Sequence, residues 1–287
     1  MIVDAHHHVW DPAARRHAWL DGLPALNRSF GLADFDRASE PERVTASVLV
    51  QVLASTEETE EFLALAAGPG PVAGVVGWTD LTSPAVGDEI ARLRGLPGGN
   101  RLAGIRHLVQ DEPDPDWLRR PEVRRGIRAV GAAGLVYDLL VRPHQLPAAL
   151  AVTGELADVT FVLDHGAKPP IASGALEPWA SQIGELAARP NVSCKLSGLV
   201  TESGPGWRAA QIVPYLDHLV EAFGPGRLMF GSDWPVCTLA ASYAEVVALA
   251  SDALAVRLGQ AELDAVFRAN AINVYRLDGG RAPRNGP

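Results

Sequence analysis

The amino-acid sequence predicts an α/β fold, a (β/α)8 TIM barrel, on three observations. Eight short β-rich runs are spread along the chain, with helix-like stretches between them. Several runs are almost continuously apolar, as in Ser47-Val48-Leu49-Val50 and Thr160-Phe161-Val162-Leu163, which is how strands buried on both faces of a parallel sheet read. A length of 287 residues suits such a barrel built as one domain. The alternative, an open doubly wound sheet, calls for a glycine-rich phosphate loop after an early strand, and the sequence has none. One barrel domain is expected over residues 1–278. Residues 279–287, rich in Gly, Pro, Arg and Asn, read as a frayed tail.

The strands are predicted at Ile2–His6, Ala46–Leu53, Val72–Trp78, Leu102–Leu108, Gly134–Val141, Val159–His165, Asn191–Ser197 and Arg227–Ser232. The helices between them have start signals and apolar faces. Ser55 with Glu58 three residues on is a capping-box pattern ahead of Phe62, Leu63 and Leu65. Pro121 suits a first helical turn, after which Val123, Ile127 and Val130 share one face. Trp179, Ile183 and Leu186 repeat the spacing, as do Ile212, Tyr215, Leu216, Leu219 and Phe223 up to Gly224. A last helix is expected near residues 262–277, carrying Leu263, Val266, Phe267 and Val274. One connection is long: between His8 and the second strand lie Trp10, Pro12, Trp19, Pro24 and Phe30. Such a loop is either a lid that meets the substrate, through Trp10, or a packed cover.

Composition narrows the function. The chain is 47% hydrophobic and 21% charged, as in ordinary globular proteins. It shows no membrane span and no leader of basic then apolar residues, so a cytoplasmic location is expected. Cys194 and Cys237 are its only two cysteines, too few for a disulfide framework and not in a metal-binding spacing. A net charge of −9 opposes binding to a phosphate backbone. Neither nucleic acid nor membrane is an expected partner, and association into a homo-oligomer is left open.

In a barrel enzyme the residues that react sit at the C-terminal ends of the strands. The first strand ends Val3-Asp4-Ala5-His6-His7-His8. Alternation along a strand aims His6 and His8 one way and His7 the other. Two imidazoles in one space are half of a metal site. His165 after the sixth strand and Asp233 after the eighth supply the rest of a mixed imidazole and carboxylate set, suited to one divalent metal, zinc foremost. Asp233 is the expected base for a water molecule, with His165 assisting. Arg106, Lys195 and Lys168 place positive charge near the same rim, suited to a carboxylate or a developing oxyanion. Tyr137 or Asp138 on the fifth strand is positioned to bind a sugar hydroxyl. For each residue taken singly, a structural role (a core histidine, a helix cap, an ion pair between strand and helix) competes with this reading. Their convergence on one end of the predicted strands favours a site.

The runs Val3-Asp4-Ala5-His6-His7-His8-Val9-Trp10, Gly104-Ile105-Arg106-His107, Leu163-Asp164-His165-Gly166-Ala167-Lys168-Pro169, Lys195-Leu196-Ser197-Gly198 and Phe230-Gly231-Ser232-Asp233-Trp234-Pro235, with the closing Asn270-Ala271-Ile272-Asn273-Val274-Tyr275-Arg276-Leu277, together resemble the amidohydrolase superfamily. Within it they are most similar to the amidohydrolase-2 group of sugar-lactone and dicarboxylate lactonases. The resemblance implies a distorted (β/α)8 barrel that hydrolyses a cyclic ester, with His6, His8, His165 and Asp233 as the metal-binding corner. Binuclear members carry a modified lysine and two later histidines. This chain has only His165 among later strand-end histidines and no lysine in the fourth or fifth strand, so two metals are not expected. Some lactonases of the group work without any metal. The group's decarboxylases, which release carbon dioxide from aromatic or unsaturated acids, are the competing activity. They carry a further histidine where this chain has Lys195 and Ser197. A sugar lactone of the fuconolactone or rhamnonolactone kind suits the chain better than a dicarboxylate, because Arg106 is the one arginine evident at a strand end.

Overall fold

The computed structural model describes residues 1–277, so the expected tail lies outside the described residues. Eight strands form one sheet in chain order: β1 (Ile2–His7), β2 (Val44–Val50), β3 (Val72–Gly77), β4 (Leu102–His107), β5 (Val136–Leu139), β6 (Phe161–Leu163), β7 (Val192–Leu196) and β8 (Leu228–Phe230). Every neighbouring pair is parallel. The barrel closes at its C-terminal end, where the His8 amide donates to the Trp234 carbonyl (2.7 Å) and the Asp233 amide to the His6 carbonyl (2.8 Å). This is the expected (β/α)8 barrel. The strands end a few residues short of several predicted limits because the chain turns into loops at the C-terminal mouth there.

The helices are α1 (Leu32–Ser39), α2 (Thr56–Ala67), α3 (Val86–Arg94), α4 (Pro121–Ala132), α5 (Leu146–Glu155), α6 (Trp179–Ala187), α7 (Leu199–Ser203), α8 (Ala209–Phe223), α9 (Tyr243–Ala255), α10 (Gln260–Asp264) and α11 (Asn270–Tyr275). Ser55 caps α2 by accepting from the Glu58 amide. The Glu58 carboxylate, however, does not return to the cap; it accepts from the amides of Val52 and Leu53 (2.8 and 2.9 Å) and so fixes the turn after β2. A π-helical stretch, Ala265–Ala269, links α10 and α11, which makes the expected last helix continuous.

Two apolar layers hold the barrel. Outward residues such as Leu49, Ile105, Phe161 and Cys194 pack against the helices. Inward residues, among them Val48, Val76, Val136, Val162 and Met229, fill the interior together with Ala271 and Tyr275 of α11 and Leu277 just after it. Small and β-branched residues suit that interior because it must be filled solid. Tyr275 carries one polar group into it. Its hydroxyl donates to Asp138, with both carboxylate oxygens within 2.9 Å.

The long first connection is a packed cover. Trp10 and Phe30 form an antiparallel bridge, Trp10 meets Trp19 edge-on at 5.0 Å, and Phe30 meets Trp234 at 5.6 Å. The Trp10 indole N–H donates to the Leu26 carbonyl at 3.1 Å. No helix is long and apolar enough to cross a membrane among the described residues.

Candidate active site and metal corner

His6, His8, His165 and Asp233 do meet. A register irregularity between Asp4 and His7 turns the end of β1 so that His6 and His8 face the barrel mouth. His7 points outward and stacks flat on Phe35, 3.9 Å away. The bulge is fixed by Asp4, whose carboxylate accepts from the amides of His6 (3.0 Å) and Ser232 (2.9 Å) and from the Tyr243 hydroxyl (2.9 Å). Burial pushes the Asp4 carboxyl up to about 6. Asp4 therefore ties β1 to the loop that carries Asp233.

Distances within the corner are short. His6 Nε2 lies 3.1 Å from His8 Nε2. Asp233 Oδ1 lies 3.4 Å from His8 Nε2, 3.8 Å from His6 Nε2 and 3.9 Å from His165 Nε2. His165 and Asp233 sit in left-handed backbone, with φ of 54° and 56°, a conformation non-glycine residues seldom adopt. Both are buried, at 4% exposed. Trp179 braces the strained loop from behind by donating to the Gly166 carbonyl at 2.7 Å.

Protonation follows from burial. It pulls His165 down to about 4, against the pull of Asp233 and Asp164, and it holds His6 well below the usual imidazole range. These imidazoles are neutral near pH 7. Burial also raises the Asp233 carboxyl, but the neighbouring histidines outweigh it and hold the group well below the usual carboxylate range. Asp233 is thus an ionised acceptor.

The donor set fits a metal ion. His6, His165 and Asp233 each offer a ligand atom, all within 4.8 Å of one another. The second nitrogens are positioned as metal ligands require. His8 Nδ1 lies 2.7 Å from the Val50 carbonyl, which can only accept, so Nδ1 carries the proton and Nε2 offers its lone pair. That lone pair faces Asp233 Oδ1 and His6 Nε2, an arrangement that a cation between them satisfies. His165 Nδ1 is 2.8 Å from Ser197 Oγ, leaving Nε2 toward the corner. His6 Nε2 faces His8 and Asp233, while its Nδ1 lies between Lys195 Nζ (3.1 Å) and Asp164 Oδ1 (3.4 Å).

Beneath the corner lies a floor of paired charges that strand-end reasoning did not separate from the site. Lys195 Nζ contacts Asp138 Oδ2 (2.6 Å), Asp164 Oδ1 (2.9 Å) and His6 Nδ1 (3.1 Å). The Arg106 guanidinium meets Asp164 Oδ2 at 2.9 Å and also donates to the Gln51 carbonyl. Burial raises Asp138 to about 6. At Asp164 burial is outweighed by Lys195, His6 and Arg106, which hold it well below the usual range.

The structure holds four of the residues expected to contact substrate within the protein itself. Lys195 is fully buried, with its ammonium held between the Asp138 and Asp164 carboxylates. Arg106 Nη1 lies 3.4 Å from His6 Nε2, but both of its terminal nitrogens are engaged below the corner. Tyr137 faces the helical layer, 6.1 Å from Phe161, because Asp138 takes the inward position on β5. Trp10 spends its N–H inside the cover. Lys168 stays at the rim, 3.4 Å from Glu202 with about a fifth of its side chain exposed. Asp164, which the strand-end reading does not single out, lies beside His6 and anchors both floor cations. Its position directly before His165 at a strand end was the available signal.

Gly198 shows how tightly the corner is built. It has φ of +66°, and a Cβ there would lie 2.7 Å from His165 Nδ1. Gly198→Ala is expected to displace His165 and lower kcat by about 10²-fold, as ångström-scale misplacement does. Circular dichroism and steady-state rates check this.

A (β/α)8 barrel with histidines and a carboxylate clustered at its C-terminal mouth is the architecture of a hydrolase that works on a metal or a polarised water. Comparison with known proteins shows the family. Residues 3–277 match the amidohydrolase family model Amidohydro_2, and the chain belongs to that family. It is 40% identical over 280 residues to an L-fucono-1,5-lactonase of Burkholderia ambifaria, covering 96% of each chain. A crystal structure of an amidohydrolase from Burkholderia multivorans with bound zinc superposes with a TM-score of 0.92 at 39% identity, over 97% of this chain and 100% of that one. A 5-carboxyvanillate decarboxylase of Sphingomonas paucimobilis shares the fold at a TM-score of 0.67 but only 15% identity, over 96% and 99% of the two chains.

Proposed function

We propose that this chain is a carboxylic-ester hydrolase that opens a sugar-acid lactone of the L-fucono-1,5-lactone kind. The observation that carries the reading is the neutral His165 beside the ionised Asp233 at the barrel mouth, in a chain similar over nearly its whole length to an L-fucono-1,5-lactonase. Decarboxylation, the competing reading, rests on a relative too distant to carry more than fold.

His6, His8, His165 and Asp233 would hold one divalent ion, and zinc suits three imidazoles and a carboxylate. Such an ion, when bound, polarises the lactone carbonyl and makes water more acidic. The chain's own residues do the rest. The lactone enters with its carbonyl toward the corner. Asp233 accepts a proton as the water oxygen bonds to the carbonyl carbon. His165, held by Ser197, keeps that water in line. The tetrahedral adduct then collapses, the ring C–O bond breaks, and the departing alkoxide takes the proton from Asp233. Lys168 is the rim cation that meets the carboxylate as it leaves. Asp164, Lys195, Arg106 and Asp138 keep His6 in place throughout.

A panel of aldonolactones followed with a pH indicator, with and without chelator and added zinc, tests this. L-fucono-1,5-lactone is expected among the best substrates, with turnover falling on chelation and returning with zinc. Turnover unaffected by chelation, in protein whose metal content is nil, removes zinc and keeps the lactonase. No turnover of any sugar lactone removes the function.

A further inference from the structure

The floor geometry leaves a question that the reaction itself does not answer: what holds the sugar ring. The floor cations are committed to carboxylates, so recognition of the ring must come from the rim. One group there is fixed far more firmly than a surface aromatic needs to be. Trp78 follows β3, and it is half-buried. Its backbone N–H donates to Thr59 Oγ1 (2.8 Å), and Thr59 Oγ1 donates to the Trp78 carbonyl (3.1 Å). Its indole N–H donates to His107 Nδ1 (3.0 Å).

That last bond sets the tautomer of His107. An indole N–H can only donate, so His107 Nδ1 carries the lone pair and Nε2 the proton, which goes to Glu112 Oε1 at 2.7 Å. One face of His107 lies flat on Trp117, with ring centroids 4.1 Å apart and planes 7° from parallel. Trp117 is buried. Thus Glu112, His107 and Trp117 form a bracket that holds the Trp78 indole through its N–H.

Position gives the rest. Trp78 follows directly after β3, at the C-terminal end of the barrel where the corner also lies. With its N–H consumed, the indole can offer a ligand only its π-face. β3 stands two strands from β1, at most about 10 Å around the wall, a gap that a six-carbon lactone can bridge with its carbonyl at the corner. A saturated sugar ring has polar edges and C–H faces, and C–H faces are what an aromatic face takes up.

Resting on the lactonase reading, we infer that Trp78 is the platform for the C–H face of the sugar-lactone ring, held in pose by the His107–Glu112 bracket. It is a specificity-determining residue that touches substrate away from the reacting carbonyl. Trp78 and its bracket act on binding, while the chemistry stays with Asp233 and His165.

The test is steady-state kinetics on L-fucono-1,5-lactone with wild type, Trp78→Phe, Trp78→Ala and His107→Ala, each checked for fold by circular dichroism and thermal melting. Trp78→Ala should raise KM at least tenfold and change kcat less than about threefold. Trp78→Phe, which keeps a flat face, should stay within about threefold of wild-type KM. His107→Ala should fall between, because the indole is present but unheld. Unchanged KM in a folded, active Trp78→Ala overturns the platform and leaves the lactonase standing. Equal losses in the Phe and Ala variants accompanied by lower melting temperatures also overturn it, since they mark a purely structural indole. Wild type inactive on every sugar lactone overturns the function, and the platform falls with it.

Discussion

Asp233→Asn lowers kcat on a sugar lactone by about 10³-fold or more, within the range expected when a positioned base is removed, while the melting temperature changes little. The asparagine keeps the shape and the left-handed turn, since Asn tolerates that backbone. It loses the charge that accepts the water's proton and that faces His8 at 3.4 Å and His165 at 3.9 Å. The same change weakens any ion held in the corner. Stopped assays of product acid at high enzyme concentration measure the residual rate. Near-wild-type turnover in this variant would remove Asp233 from the chemistry.

Lys195→Met is expected to act on stability first. The side chain is fully buried between Asp138 and Asp164, and methionine replaces its stem but not its charge. Two carboxylates are then left facing each other in the barrel floor, one of them also bonded by Tyr275. Breaking a buried pair by deleting one partner costs about 3–5 kcal/mol, which for a chain of this size lowers the melting temperature by roughly 10 °C. Adding Asp138→Asn to Lys195→Met removes one of the unpaired charges and should recover part of the loss. Calorimetry of the single and double variants decides the point. An unchanged melting temperature in the single variant would mean that the floor is not a charge network.

The fold was legible because parallel strands buried on both faces announce themselves as short apolar runs, and each of the eight runs became a strand. His6 and His8 were legible for a related reason: alternation aims them together, and the bulge after Asp4 preserves that direction. His165 and Asp233 follow from strand ends alone. The floor was harder to read. Lys195 lies 57 residues from Asp138 and Arg106 lies 58 from Asp164, and nothing local in the sequence tells an ammonium at the rim from one a layer deeper. Both cations were therefore read as facing substrate. Trp10 and Tyr137 are ambiguous in sequence for a different reason. Large aromatics serve packing as often as binding, and only the partner of a polar atom separates the two, as Leu26 does for Trp10. Trp78 and His107 stood in view at strand ends, but their bracket depends on Glu112 and Trp117 from the following loop.

The most direct test of the central claim is hydrolysis of L-fucono-1,5-lactone by the wild-type protein in ¹⁸O-water, with the product acid read by mass spectrometry. Attack of water on the carbonyl carbon predicts turnover that places a single ¹⁸O in the carboxylate and leaves the released ring hydroxyl unlabelled. Label in that hydroxyl, or no enzyme-dependent opening of the ring, would contradict the account.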